Sequence, residues 1–122
     1  ECNPSLTDID GLSNVRSISD SVFIRSNPSL TSLAGLSRLS HINGDLDLES
    51  NRSLEHLDGL AGLGRVGGNV YIESGSLRSL KPLSKLARIG GNFTLKGNQC
   101  LETLKGLETL QKPPSNFFHI IT

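Results

Sequence analysis

The sequence predicts a mainly-β chain of about five stacked 24-residue leucine-rich coils with short parallel strands. Two observations carry that expectation. A five-residue phrase recurs at Gly11-Leu-Ser-Asn-Val, Gly35-Leu-Ser-Arg-Leu, Gly59-Leu-Ala-Gly-Leu, Pro82-Leu-Ser-Lys-Leu and Gly106-Leu-Glu-Thr-Leu, in steps of 24, 24, 23 and 24 residues. A fixed period of this length marks a repeat architecture. Each unit also carries one pair of apolar residues two apart, which is strand spacing: Val22 with Ile24, Leu46 with Leu48, Val70 with Ile72, and Phe93 with Leu95.

The rest of each unit steps by three, as in Leu36, Leu39 and Ile42, and again from Asn51 through Leu54 and Leu57 to Leu60. On an α-helix each such step drifts by roughly 60°, so one side of the helix could not hold them all. The backbone is expected instead to bend around a shared core in short extended or 3₁₀ pieces. Between this stretch and the strand pair lie Ser19-Asp20, Asn43-Gly44, Gly67-Gly68 and Gly90-Gly91. These residues tolerate positive φ, so a tight corner is expected there. In the first full unit the inward residues are Leu12, Val15, Ile18, Val22, Ile24, Leu30 and Leu33. A single unit cannot offset its own ordering entropy, so stability has to come from neighbouring units.

The 122 residues read as one repeat domain, with partial coils at 1–10 and 106–122 and full coils at 11–34, 35–58, 59–81 and 82–105. Asn3, Asn27, Asn51 and Asn98 share one slot, where the third full coil has Gly75 and is one residue short. An asparagine recurring in an apolar stripe predicts a hydrogen-bonded ladder, broken at that coil. Asn116-Phe117-Phe118 aligns with Asn92-Phe93-Thr94, and Pro113-Pro114 disturbs the last coil.

The unit Ile-x-Gly-x-Leu-x-Leu-x-x-Asn-x-x-Leu-x-x-Leu-x-Gly-Leu, read from Ile42 to Leu60, resembles the receptor L-domain. The likeness runs roughly from Asn3 to Leu110 and is shared in part with classical leucine-rich repeats. It implies a right-handed β-helix-like solenoid, an extracellular or cell-surface setting, and binding rather than catalysis. The alternative architecture is a leucine-rich-repeat horseshoe with a short helical convex side.

Twelve Lys plus Arg balance twelve Asp plus Glu, which removes any electrostatic case for nucleic acid or an anionic membrane surface. The apolar cluster at Phe117 to Ile121 is too short to span a bilayer, and Glu1-Cys2-Asn3 does not read as a signal peptide. No nucleophile elbow, phosphate loop or Cys-His arrangement is present, and His41, His56 and His119 lack a zinc spacing. No cofactor is expected and no enzymatic activity. Cys2 and Cys100 fall about four coils apart, near 19 Å at the spacing of stacked strands, too far to pair.

Residues alternating with the strand pairs point outward and form columns. One holds Ser21, Asp45, Asn69, Asn92 and Asn116; the middle one Phe23, Asp47, Tyr71, Thr94 and Phe118; the third Arg25, Glu49, Glu73 and Lys96. Exposed aromatics on a flat sheet can anchor a partner. Phe23, Arg25, Asp47, Glu49, Tyr71, Glu73, Thr94 and Lys96 are therefore the candidate ligand-binding residues, for a protein or glycan partner. Asp45, Asp47 and Glu49 beside Glu73 read as an acidic strand face flanked by Arg25 and Lys96 rather than as a metal site. Of the sequons at Asn51 and Asn92, the first falls in the ladder, leaving Asn92 as the candidate glycosylation site. The alternative to a recognition module is a structural spacer or a scaffold that self-associates through its coil ends.

Overall fold

The computed structural model describes residues 1–111 and 118–121. The strands are β1 (Ser17–Ile18), β2 (Val22–Phe23), β3 (His41–Ile42), β4 (Leu46–Glu49), β5 (Arg65–Val66), β6 (Val70–Glu73), β7 (Arg88–Ile89), β8 (Phe93–Lys96) and β9 (Phe118–Ile121). They form two wholly parallel sheets, ordered β1-β3-β5-β7 and β2-β4-β6-β8-β9. The helical segments are 3₁₀ turns at Asp10–Leu12, Ala34–Leu36, Asp58–Leu60 and Lys81–Lys85. The chain is thus mainly β, and the three-residue steps fall partly in 3₁₀ turns, whose side chains repeat every three residues.

Register follows the period of the sequence. In the longer sheet Val22 pairs with Leu46, Leu46 with Val70, and Val70 with Phe93. Leu36, Leu60 and Leu83 lie fully buried in one cluster with Leu39, Leu63 and Leu86. Leu12 was expected inward as well, but it is 43% exposed because no unit covers it on the N-terminal side. Val15, Ile18 and Ile24 are half-buried for the same reason.

The corners are built differently from the sequence expectation. The chain does bend at Asn43-Gly44, Gly67-Gly68 and Gly90-Gly91, but none of these residues has a positive φ. Glycine is needed there for close approach: a Cβ on Gly90 would sit 1.9 Å from the Gly67 carbonyl oxygen, and one on Gly67 2.1 Å from that of Asn43. The left-handed conformation falls instead just before the asparagine slot, at Cys2 (φ 55°), Ser26 (56°), Ser50 (58°) and Gly97 (62°). It turns the chain sharply out of the longer sheet.

The asparagine ladder is present. The Asn3 N–H donates to Asn27 Oδ1 and the Asn27 N–H to Asn51 Oδ1, both at 3.1 Å. Asn27 and Asn51 are buried. Asn51 also closes its own unit to the previous one, its amide donating to the Ile24 carbonyl at 2.6 Å. The irregular coil interrupts the relay as expected, but Ser74, not Gly75, takes the slot. Its N–H donates to Asn98 Oδ1 at 3.1 Å, while its hydroxyl turns to the Asn51 and Leu54 carbonyls. Gly75, at φ 77°, absorbs the missing residue.

The last strand corrects the alignment at the C-terminal end. Phe93 pairs with Phe118 and Thr94 with His119, so the final unit is one residue longer than expected. Because side chains alternate along a strand, this shift exchanges the two faces. It places Phe118 and Ile120 in the apolar columns and His119 in the outward one. The Phe118 ring rests on Phe93 with centroids 5.5 Å apart. Asn116, Phe117 and Pro113-Pro114 lie outside the described residues.

Candidate functional site

The outward side of the longer sheet brings the candidate residues into contact. Phe23 pairs with Asp47, Asp47 with Tyr71, and Tyr71 with Thr94, while Glu49 pairs with Glu73. Short strands in strict register place these side chains one strand spacing apart, within reach of long neighbours. Phe118, assigned to this column from sequence, is not part of it; His119 stands beside Thr94 instead.

Arg25 organises one half of the face. Its Nη2 and Nε both donate to Asp47 Oδ2, at 2.5 and 3.0 Å, and its Nε lies 3.8 Å from Glu49 Oε2. Nη1 reaches Glu1 Oε1 at 3.3 Å. The guanidinium lies over the Phe23 ring, 4.5 Å from the centroid. A planar cation with donors at its rim can stack and pair at once. The hydrogen bond to Asp47, and then the attraction of Asp47 and Glu1, hold Arg25 above its ordinary pKa despite some desolvation. Phe23 remains 48% exposed, with its outer surface open to solvent.

Tyr71 organises the other half. Its hydroxyl donates to Glu73 Oε2 at 2.7 Å, and Lys96 Nζ lies 3.7 Å from the same oxygen. Burial, then the hydrogen bond to Glu73 and the charges of Glu73, Glu49 and Asp47, push the Tyr71 phenol well above its ordinary range. Thr94 is half-buried beside it.

The acidic residues are therefore engaged with partners. Asp45 belongs to a second side-chain ladder not expected from the sequence. The Asp45 N–H donates to Ser21 Oγ at 2.9 Å, the Asn69 N–H to Asp45 Oδ1 at 2.6 Å, and the Asn92 N–H to Asn69 Oδ1 at 2.8 Å. Its signal in the sequence is an acceptor side chain, Ser21, Asp45, Asn69 or Asn92, one residue before the first inward residue of each strand pair, Val22, Leu46, Val70 or Phe93. Among the described residues no group of three or more His, Cys, Asp or Glu is placed to hold a metal ion, and no helix is long and apolar enough to cross a membrane. Asn51 is fully buried, whereas Asn92 is exposed. Cys2 and Cys100 are exposed and not bonded to each other.

What remains is a pre-paired surface: two ion-paired clusters, a solvent-facing Phe23 ring stacked under Arg25, and half-buried Tyr71 and Thr94. Comparison with protein-family models, with curated proteins and with solved structures finds no match to this chain.

Proposed function

We propose that the chain is a non-enzymatic recognition or adhesion module of the extracellular space or cell surface. In this reading it is a right-handed β-solenoid related to receptor L-domain repeats, and it offers the outward face of its longer sheet to a protein or glycan. The parallel register at one-period spacing supports the solenoid. The observation that carries the function is the Phe23–Arg25–Asp47 cluster beside Tyr71–Glu73: an exposed aromatic ring whose cationic neighbour is already fixed by a carboxylate. Side chains held in place before binding lose little entropy on binding, and aromatic and arginine residues are the usual anchors of interfaces. The pairing of the acidic side chains supports recognition over metal-dependent or acid–base chemistry. Asn92, exposed at the edge of this face, is the proposed glycan attachment site.

The test uses labelled chain on a printed glycan array and on a panel of secreted extracellular domains. Wild-type protein is expected to bind a restricted set of probes. The double variant Phe23→Ser, Tyr71→Ser is expected to lose that binding while keeping its far-ultraviolet circular dichroism. Equal binding by the double variant would move the site off this face.

A further inference from the structure

The balance of charge over the whole chain conceals a separation by side. In the four segments that build the shorter sheet, 13–19, 37–43, 61–67 and 84–90, the Lys and Arg residues are Arg16, Arg38, Arg65, Lys85 and Arg88, and there is no Asp or Glu. The segments that follow each of them, 20–26, 44–50, 68–74 and 91–97, hold five carboxylates and two cations. The shorter sheet lines the basic residues up. Its register pairs Ser17 with His41, His41 with Arg65 and Arg65 with Arg88, while the alternate residues Ile42, Val66 and Ile89 are buried. Neighbours in this column stand about 4.8 Å apart. Arg38 and Lys85 flank it three residues upstream of His41 and Arg88, and all five cations are exposed. Two of them are steered by neutral amides: Arg65 Nη2 donates to Asn43 Oδ1 at 3.2 Å, and Arg38 Nη1 to Asn14 Oδ1 at 3.5 Å. An amide oxygen orients a guanidinium without cancelling its charge. Among the described residues none of the five lies within ion-pair distance of a carboxylate, whereas Arg25, Arg78 and Lys96 do.

We propose that this basic strip is a second binding surface, separate from the Phe23 face, and that it takes a sulfated polysaccharide. Charge complementarity selects a polyanion, and guanidinium groups match tetrahedral oxyanions through paired N–H donors. The column runs across the strands, so a linear chain with anionic groups at regular intervals meets several cations at once. Other partners fit less well. Single-stranded nucleic acids are held on aromatic platforms, and these segments contain no Phe, Tyr or Trp. A membrane surface is gripped by inserted apolar side chains, and none of the large exposed hydrophobics falls in these segments. Protein interfaces have a core depleted in charge and rich in aromatics, the reverse of this strip. The exposed neighbours are instead Ser13, Ser17, Ser19, Ser37 and Ser84, small hydroxyls that let a hydrated chain approach closely and can donate to sulfate oxygens. Stacking of units extends the strip and does not cover it.

Immobilised heparin is the probe, with the full chain applied over a salt series. Binding is expected at physiological salt, with an affinity that falls steeply as salt rises and counterion release is lost. Fully desulfated heparin is expected not to bind. Arg65→Ser, Arg88→Ser is expected to weaken heparin binding about tenfold and to lower the salt slope by about 1–2. Arg52→Ser, Arg78→Ser removes the same charge from outside both sheets and is expected to change binding by less than about twofold, because salt screens distant charges. Should the first pair disturb the circular dichroism, Arg16→Ser, Lys85→Ser removes two cations outside the strands and is expected to weaken binding about fivefold. Phe23→Ser, Tyr71→Ser is expected to retain heparin binding, so the two surfaces stand or fall separately. The proposal is overturned by absence of heparin binding, by equal losses in the Arg65/Arg88 and Arg52/Arg78 variants, or by loss in the Phe23/Tyr71 variant. Tighter binding to duplex DNA or to phosphatidylserine vesicles, assayed alongside, also overturns it.

Discussion

Asn27 gives its backbone N–H to the side-chain oxygen of Asn51, one repeat farther along, with both residues buried. The bond joins two units through a side chain rather than through the strand ladder. Replacing Asn51 with Leu leaves the Asn27 N–H and the Ile24 carbonyl without this partner in an apolar setting. The expected loss is about 2–4 kcal/mol, because each buried orphan group costs about 1–3 kcal/mol. Urea denaturation measures it, and a loss below 1 kcal/mol would mean that the ladder contributes little.

Gly90 and Gly11 separate close packing from mere presence of glycine. Gly90→Ala drives a methyl into the Gly67 backbone oxygen and is expected to destabilise by about 1–3 kcal/mol, as over-packing does. Gly11 has nothing within 4 Å of its would-be Cβ, so Gly11→Ala is expected to be neutral or to gain up to about 1 kcal/mol. Thermal melts of the two variants should diverge in that order.

Ser50 holds φ 58°, a conformation in which its Cβ crowds the backbone. Gly97 fills the equivalent position two units later, beyond the irregular one. Ser50→Gly is therefore expected to raise stability by about 0.5–1 kcal/mol, and Ser50→Val to lower it by about 1–2 kcal/mol. Equal melting temperatures for the two variants would contradict the assigned backbone.

Tyr71 is the sole tyrosine and the chain has no tryptophan, so absorbance near 295 nm follows a single phenol. Its titration is expected well above the ordinary value of 10.0, and Glu73→Gln should bring the midpoint down. The folded pKa is raised, so the stabilisation is complete below pH 10. It declines as pH rises beyond that, since the unfolded chain releases its proton first. A midpoint at the ordinary value would place the hydroxyl in water.

Much of this architecture was readable before any coordinates. The leucine columns at Leu36, Leu60 and Leu83 and the buried Asn27 and Asn51 follow from a strict period, because residues one period apart meet the same surroundings. The placement of Phe23, Arg25 and Tyr71 on one face followed from alternation around the inward pairs, but their contacts with Asp47 and Glu73 did not. The shorter sheet did not, since strands such as Ser17–Ile18 and Arg65–Val66 hold one inward residue each and show no alternation. The left-handed serines carried no signal, as Ser26 and Ser50 look like ordinary loop residues while the nearby glycines drew attention to the wrong corner. Phe118 was misplaced because the longer final unit breaks the period, and the adjacent pairs Phe117-Phe118 and Ile120-Ile121 let the apolar pattern fit either phase.

The pairing of Val22 with Leu46 and of Leu46 with Val70 also bears on how such a chain can change length. Excising one whole period, Gly35 through Asp58, would leave Ala34 followed by Gly59 and bring Val22 against Val70, with every apolar column intact. Arg25 would then meet Glu73 and Tyr71 instead of Glu49 and Asp47. Cutting out part of a period would throw the inward side chains out of phase unless a residue such as Gly75 absorbed the difference. Gain or loss of complete periods can thus redraw the exposed surface while leaving the interior as it was.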